Sequence, residues 1–254
     1  MIGTIIGDIA GSIYEFDNTS DYNFPMFTNE KDFTDDTVCT IAVADAILNH
    51  RDYQEAMREW CRKYPHPMGE YGGYFFNWVM CPDPHPYNSF GNGSAMRVSP
   101  VGWLFDSENE VIEQAVKSAA ITHSHPEGIK GATAIAVAIF RMRNAETKTP
   151  AIFEEVAREY YGEDAFSNLP ERGLFDVTCQ GCVPLALHIA SQAESFEDAI
   201  RLAVAYGGDT DTVGAIVGSL AEARYEIPKE MVARAKSYLP AEMLTIVESF
   251  ESRK

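Results

Sequence analysis

The chain has 254 residues, 46% of them hydrophobic, and a formal charge of −18 from 38 acidic and 20 basic side chains. That length can bury a substantial core, and the charge argues against a nucleic-acid-binding surface, which rests on clustered Lys and Arg. No apolar run approaches a membrane span, the first residues lack the basic region of an export signal, and five scattered cysteines fit a reducing cytoplasm.

Residues 2–13 set Gly3, Gly7 and Gly11 among small and apolar side chains, which predicts a helix whose neighbours approach closely. Tyr14-Glu15-Phe16 follows, then a polar and aromatic loop over 17–33 whose length suits an active site. Thr34-Asp35-Asp36-Thr37 opens an apolar stripe of Val38, Ile41, Ala42 and Ala44 through Leu48. Helical spacing covers 37–49, 53–63 and 69–79. Three prolines and two glycines exclude regular structure over 80–93. A helix after Ser94 runs towards Phe105, bent or broken at Pro100. Ser107-Glu108-Asn109-Glu110 is a capping signature for a helix over 108–122. Further helices read at 126–144 and 150–161, then, past a loop over 162–177, at 181–193, 196–205, 211–225, 229–237 and 240–252. Period-two alternation is missing. The expectation is an all-α protein: one compact, orthogonal multi-helix domain of about a dozen helices over 1–254.

Gly207-Gly208-Asp209-Thr210-Asp211-Thr212 repeats the Asp/Thr pattern at a second helix start. Either cluster alone reads most simply as an N-cap. A cap needs one side-chain oxygen, however, and each cluster carries two carboxylates plus hydroxyls. Brought together, four carboxylates would repel one another unless a cation were present, and such oxygen-lined sites hold hard divalent cations. Phe90-Gly91-Asn92-Gly93-Ser94-Ala95-Met96-Arg97 sets glycines at a helix start, a natural phosphate cradle. Thr122-His123-Ser124-His125-Pro126 has the wrong spacing for a zinc pair on one helical face, and fits a helix cap or a ligand hydrogen bond. His50, His66, His85 and His188 show no partner. Glu15 could act as a general base or hold a water near a metal-bound sugar. Cys179-Gln180-Gly181-Cys182 lacks a second pair and reads as packing near the site.

Two other Asp-rich motifs compete for Asp209. An EF-hand starting at Asp209 fails, because Val213 and Leu220 fall where ligands are needed. An aspartyl-nucleophile phosphatase would want Asp209 after a buried β-strand, whereas Asp209 follows a helix.

The ordered set of Gly7-Asp8-Ile9-Ala10-Gly11-Ser12 with Tyr14-Glu15, Phe33-Thr34-Asp35-Asp36-Thr37, Gly91 to Arg97, Thr122 to Pro126 and Gly207 to Thr212 resembles the ADP-ribosylglycohydrolase family. The resemblance implies two Mg²⁺ (or Mn²⁺) ions in a central cleft, with Thr34, Asp35, Asp36, Asp209, Asp211 and Thr212 as their ligands. It implies substrate binding by Gly91, Asn92, Gly93 and Ser94 and by His123 or His125, and catalytic roles for Glu15 and Asp36. The reaction it implies is hydrolysis at the anomeric carbon of the distal ribose of an ADP-ribosyl group carried by a protein or a small molecule. The alternative within the family is a silent, ADP-ribose-binding or structural relative. Cys179 to Pro184 lacks the aromatic of arginine-specific members, which argues against that acceptor. Serine, O-acetyl and nucleobase linkages stay open, as does a monomer or a homodimer.

Overall fold

The computed structural model describes residues 1–254. In chain order its helices are α1 (Ile2–Gly11), α2 (Asp35–Leu48), α3 (Tyr53–Lys63), α4 (Gly73–Met80), α5 (Gly93–Met96), α6 (Ser99–Leu104) and α7 (Glu108–Ala120). They continue with α8 (Pro126–Asn144), α9 (Ala151–Tyr161), α10 (Cys179–Gln192), α11 (Phe196–Tyr206), α12 (Thr210–Arg224), α13 (Lys229–Lys236) and α14 (Ala241–Arg253). No β-strand is present; the extended pairing is limited to two isolated bridges, Thr34 with Met68 and Gly91 with Thr178. The fold is all-α, and with no strand to carry a nucleophile the phosphatase reading falls. No helix is long and apolar enough to cross a membrane.

Two helices organise the rest. Every residue of α1 is buried, as is every residue of α12 except Arg224. They meet backbone to backbone. A Cβ on Gly3 would fall 2.3 Å from the Gly218 carbonyl oxygen, one on Gly7 1.9 Å from that of Gly214, and one on Gly11 2.2 Å from that of Thr210. Four-residue spacing keeps the three glycines on one face of α1. The pairing order makes the helices antiparallel, so the last turn of α1 lies beside the first turn of α12. That seam delivers the second Asp/Thr cluster to the segment leading into Glu15. α2 packs against α1, α3 and α6, while α8, α10 and α11 pack around α12. A continuous cluster of 64 buried apolar residues joins all these layers, so the acidic site is set into the core rather than laid on it.

Local chemistry explains most helix ends. Side chains of Asp52, Ser107 and Ser195 accept from the backbone N–H groups of Glu55, Glu110 and Asp198 and cap α3, α7 and α11. Three boundaries differ from expectation. α4 begins at Gly73 rather than 69, because Gly69 and Glu70 have φ of 76° and 65°, a left-handed stretch that cannot join a helix. The break after α5 falls at Arg97 and Val98, ahead of Pro100, which lies in the first turn of α6 where its missing N–H costs nothing. α10 starts at Cys179, since the Thr178 hydroxyl accepts from the Gly181 N–H at 3.1 Å and caps it two residues early.

Candidate active site

The starts of α2 and α12 meet. The Thr212 hydroxyl donates to Asp36 Oδ2 at 3.1 Å across 176 residues of sequence. Thr34 is a true cap, its hydroxyl accepting from the Asp36 N–H at 3.3 Å. Asp209, at the matching position of α12, makes no side-chain cap bond, so capping does not account for its carboxylate.

Beside this junction a cavity of about 440 Å³ is lined by Glu15, Asp35, Asp209, Asp211 and Thr212, and farther along by Tyr87, Gly91, Asn92, Gly93, Arg97 and His123. Asp36 and Thr34 are fully buried and do not line it. Asp36 therefore sits behind the cavity wall with Oδ1 unpartnered, a position that suits holding an ion more than the direct catalytic role expected for it. A larger groove of about 680 Å³ around Met26, Phe27, Met231 and Arg234 contains no residue of either Asp/Thr cluster.

Asp8, Glu15, Asp35, Asp36, Asp209 and Asp211 gather here, and none of them pairs with a Lys, Arg or His. Burial, and next the charge of Asp211, push Asp8 up to about 7 and Glu15 up to about 8. Burial likewise holds Asp35, Asp36 and Asp209 well above the usual carboxylate range and raises Asp211. Asp36 Oδ1 and Asp211 Oδ1 are buried without a hydrogen-bond partner. Carboxylate oxygens of Glu15, Asp209 and Asp211 lie within 4.8 Å of one another. Orphaned buried oxygens, uncompensated charge and a donor set of carboxylates and hydroxyls fit a hard divalent cation, whereas zinc would call for His or Cys.

The glycine loop is tied to this cluster. Asn92 Nδ2 donates to Asp209 Oδ2 at 2.6 Å, and its other contact is Cys182 Sγ at 3.3 Å. The loop's backbone is held by the start of α10: Asn92 N–H donates to Val177 O at 2.8 Å and Cys179 N–H to Phe90 O at 2.9 Å. Both thiols of the Cys-x-x-Cys are buried, with Cys179 Sγ donating to Gly91 O and Cys182 Sγ to Asp176 O. Burial pushes both thiols up, as suits packing rather than reactivity.

Two residues expected at the ligand are turned elsewhere. Ser94 is fully buried, its hydroxyl donating to Gly128 O at 2.7 Å. His125 caps α8, Nδ1 accepting from the Glu127 N–H at 3.1 Å. Neither lines the cavity, whereas His123 does.

Three residues of the site had no role in the sequence reading, although Asp8 and Arg97 lie within its motifs. Asp8 accepts from the N–H groups of Thr34 at 3.0 Å and Thr37 at 3.1 Å and so holds the start of α2 against α1. Its signal was available: it is the sole charge in α1. Asn18 donates to the carbonyls of Tyr14 at 2.6 Å and Gly208 at 3.0 Å and accepts from the Gly208 N–H at 2.6 Å, bracing Glu15's segment against Asp209's. Arg97 is a fully buried guanidinium with no carboxylate partner. The contacts that decide their roles, Gly208 for Asn18 and Ser118 and Thr122 for Arg97, lie 190, 21 and 25 positions away.

Fold and site together define an all-helical protein with a carboxylate-lined cleft that continues into a glycine loop. The chain belongs to the ADP-ribosylglycohydrolase family, whose profile matches residues 1–252. It is similar to the ADP-ribosyl-[dinitrogen reductase] glycohydrolase of Rhodospirillum rubrum, 25% identical with 89% of this chain and 84% of that protein covered. ADP-ribosylhydrolase ARH3 of Bos taurus is 22% identical, with 96% and 89% covered. Among solved structures, an ADP-ribosylglycohydrolase-related protein complex superposes with a TM-score of 0.76 at 23% identity, covering 99% of this chain and 95% of that one, a likeness of fold. Family membership supports hydrolysis of ADP-ribosyl groups.

Proposed function

We propose that this protein is a divalent-cation-dependent ADP-ribosyl hydrolase that releases ADP-ribose from a protein side chain or a small-molecule acceptor. One observation carries the reading. Two Asp/Thr clusters far apart in sequence are brought to one point, where their carboxylates have no cationic partner and two of their oxygens no partner at all. Thr34, Asp35, Asp36, Asp209, Asp211 and Thr212 are the residues proposed to hold two ions, Mg²⁺ or Mn²⁺. When bound, such ions neutralise the carboxylates and orient the ribose hydroxyls.

The chain's own groups do the rest. Gly91 and Gly93 admit the diphosphate without a side chain in the way, and His123 supplies a donor there. Asn92 keeps that loop in register with Asp209. Glu15, at the cavity wall beside Asp209 and Asp211, takes a proton from the attacking water. The water oxygen bonds to the anomeric carbon as the bond to the acceptor breaks, and the proton that Glu15 took passes, through solvent, to the departing acceptor. The Ser94 hydroxyl and His125 Nδ1 are engaged within the fold, so this reading assigns the ligand contact to His123 and gives Ser94 at most its backbone.

The test is ADP-ribose release from ADP-ribosyl-arginine, an ADP-ribosyl-serine peptide, O-acetyl-ADP-ribose and ADP-ribosylated DNA, each with Mg²⁺, Mn²⁺ or EDTA. Cation-dependent release that Asp211→Ala abolishes is the expected result, and the fastest substrate identifies the acceptor. Tight ADP-ribose binding with no release from any substrate would instead make this a silent relative.

A further inference from the structure

The glycine-loop part of the cavity contains a buried positive charge and a buried imidazole that the reaction above does not explain. Arg97 is 1% exposed, lines the cavity and has no acidic partner; its Nε has no hydrogen-bond partner either. One guanidinium nitrogen donates to Ser118 O at 3.1 Å and to the Thr122 hydroxyl at 2.9 Å. That hydroxyl lies 2.7 Å from His123 Nδ1. Thr122 and His123 are both buried, so each proton in this chain needs an acceptor.

We infer that Arg97 and Thr122 are positioning residues that fix His123 as the neutral tautomer with its proton on Nε2, aimed at an anionic group seated on the glycine loop. Proton counting carries the argument. Arg97 can only donate, so the Thr122 oxygen accepts from it. The hydroxyl's own hydrogen then has one acceptor within reach, His123 Nδ1. Were Nδ1 protonated, Thr122 would accept twice and its hydrogen would be stranded in a buried site, which is costly. The proton of the ring is therefore on Nε2. Nε2 finds no partner within the protein, and a Cβ on Gly93 would fall 3.1 Å from it and one on Gly91 3.6 Å. Burial, and then the charge of Arg97, hold His123 well below its ordinary range, so the ring donates as a neutral N–H. The uncompensated guanidinium behind it favours a negative ligand. A phosphate group has the matching chemistry, and taking it as the diphosphate of ADP-ribose rests on the function proposed above.

Long-range ¹H–¹⁵N spectra of ¹⁵N-histidine-labelled protein at pH 7 read the tautomer directly. The chain has six histidines, and His123→Gln assigns the signal. An Nε2–H pattern is expected for His123; an Nδ1–H pattern or an imidazolium overturns the inference. Thr122→Val should shift the signal towards the other tautomer and weaken ADP-ribose binding by about tenfold, and Thr122→Ser should restore both. An unchanged spectrum in Thr122→Val would also overturn it. The wild-type spectrum suffices if the valine variant does not fold. A protein that hydrolyses no ADP-ribosyl substrate would sink the proposed function and leave the tautomer result standing.

Discussion

The cavity's two parts are assembled from opposite materials. One is lined by four carboxylates, Glu15, Asp35, Asp209 and Asp211, with Asp8 and Asp36 buried behind them, and has no cation from the protein. The other has a guanidinium with no carboxylate, a neutral imidazole and glycines. In the first, the fold gathers like groups with no cation of its own, the arrangement that the proposed ions would complete. In the second, Arg97, Thr122 and His123 form a hydrogen-bonded chain that leaves His123 Nε2, and Arg97 Nε behind it, without a partner in the protein. Asn92 bridges the two through its bond to Asp209. A molecule with hydroxyls at one end and phosphates at the other matches this polarity.

Breaking the acidic part should have the largest effect. Asp211→Ala is expected to lower kcat by on the order of 100-fold or more while ADP-ribose binding falls far less. Its cation-free form should melt no lower than wild type, because a repelling charge is gone; a clear fall in Tm would contradict the electrostatic account.

Chelation comes next, and its pH dependence has a definite sign. Asp8 and Glu15 titrate at about 7 and about 8 in the cation-free fold, above their ordinary values. The folded chain therefore holds protons that the unfolded chain releases. The stability they contribute is fully present below the ordinary carboxylate range and is lost as pH rises through about 7 to 8. Divalent cation reverses that loss and competes with those protons. Calorimetry should show a larger rise in Tm on adding Mg²⁺ or Mn²⁺ at pH 8 than at pH 5.5, with a stabilisation of about 2.7 kcal/mol at a hundredfold excess over Kd. An equal rise at both values would remove the carboxylates from the binding account.

Asn18→Ala disturbs the brace between Glu15 and Asp209, so kcat should fall roughly tenfold with the ADP-ribose Kd unchanged. If Kd weakens instead, the brace serves the ligand rather than the base. Gly93→Val acts at the other part: its side chain would press on His123 Nε2. ADP-ribose binding should weaken by about tenfold, while cation binding, followed by calorimetry without nucleotide, stays as it was. Last, Phe16 is 75% exposed and stacks on Phe175, centroids 5.8 Å apart, immediately after Glu15. Phe16→Ala should change kcat/KM by only a few-fold, and differently for different acceptors if the pair touches the leaving group.

Legibility in the sequence followed the range of the physics. Helices such as α8 and α9 announce themselves through periodic burial, and α7 through Ser107 and Glu110, all interactions within a few residues. α4 was misplaced because Gly69 and Glu70 adopt left-handed backbone that periodicity does not register. The acidic cluster was legible because one unusual motif occurs twice, so the juxtaposition could be expected without knowing the fold. Asn18 was not, since the carbonyl it braces is 190 positions away. The orientation of the Ser94 and His125 side chains was illegible for the mirror-image reason: a short motif names residue types, and packing alone decides which side chains turn inward.

The α1–α12 seam has a further consequence, for how the chain can change length. Its contacts are between backbones at fixed four-residue intervals, with no side chain able to take up a shift. Inserting one residue between Gly3 and Gly11 would rotate everything beyond it by about 100° and swing Asp8 and Glu15 away from their partners. Insertions and deletions among relatives should therefore collect over 17–33, 81–92 and 162–177, leaving the two central helices as a region of invariant length through which the distance between base and acidic cluster is inherited unchanged.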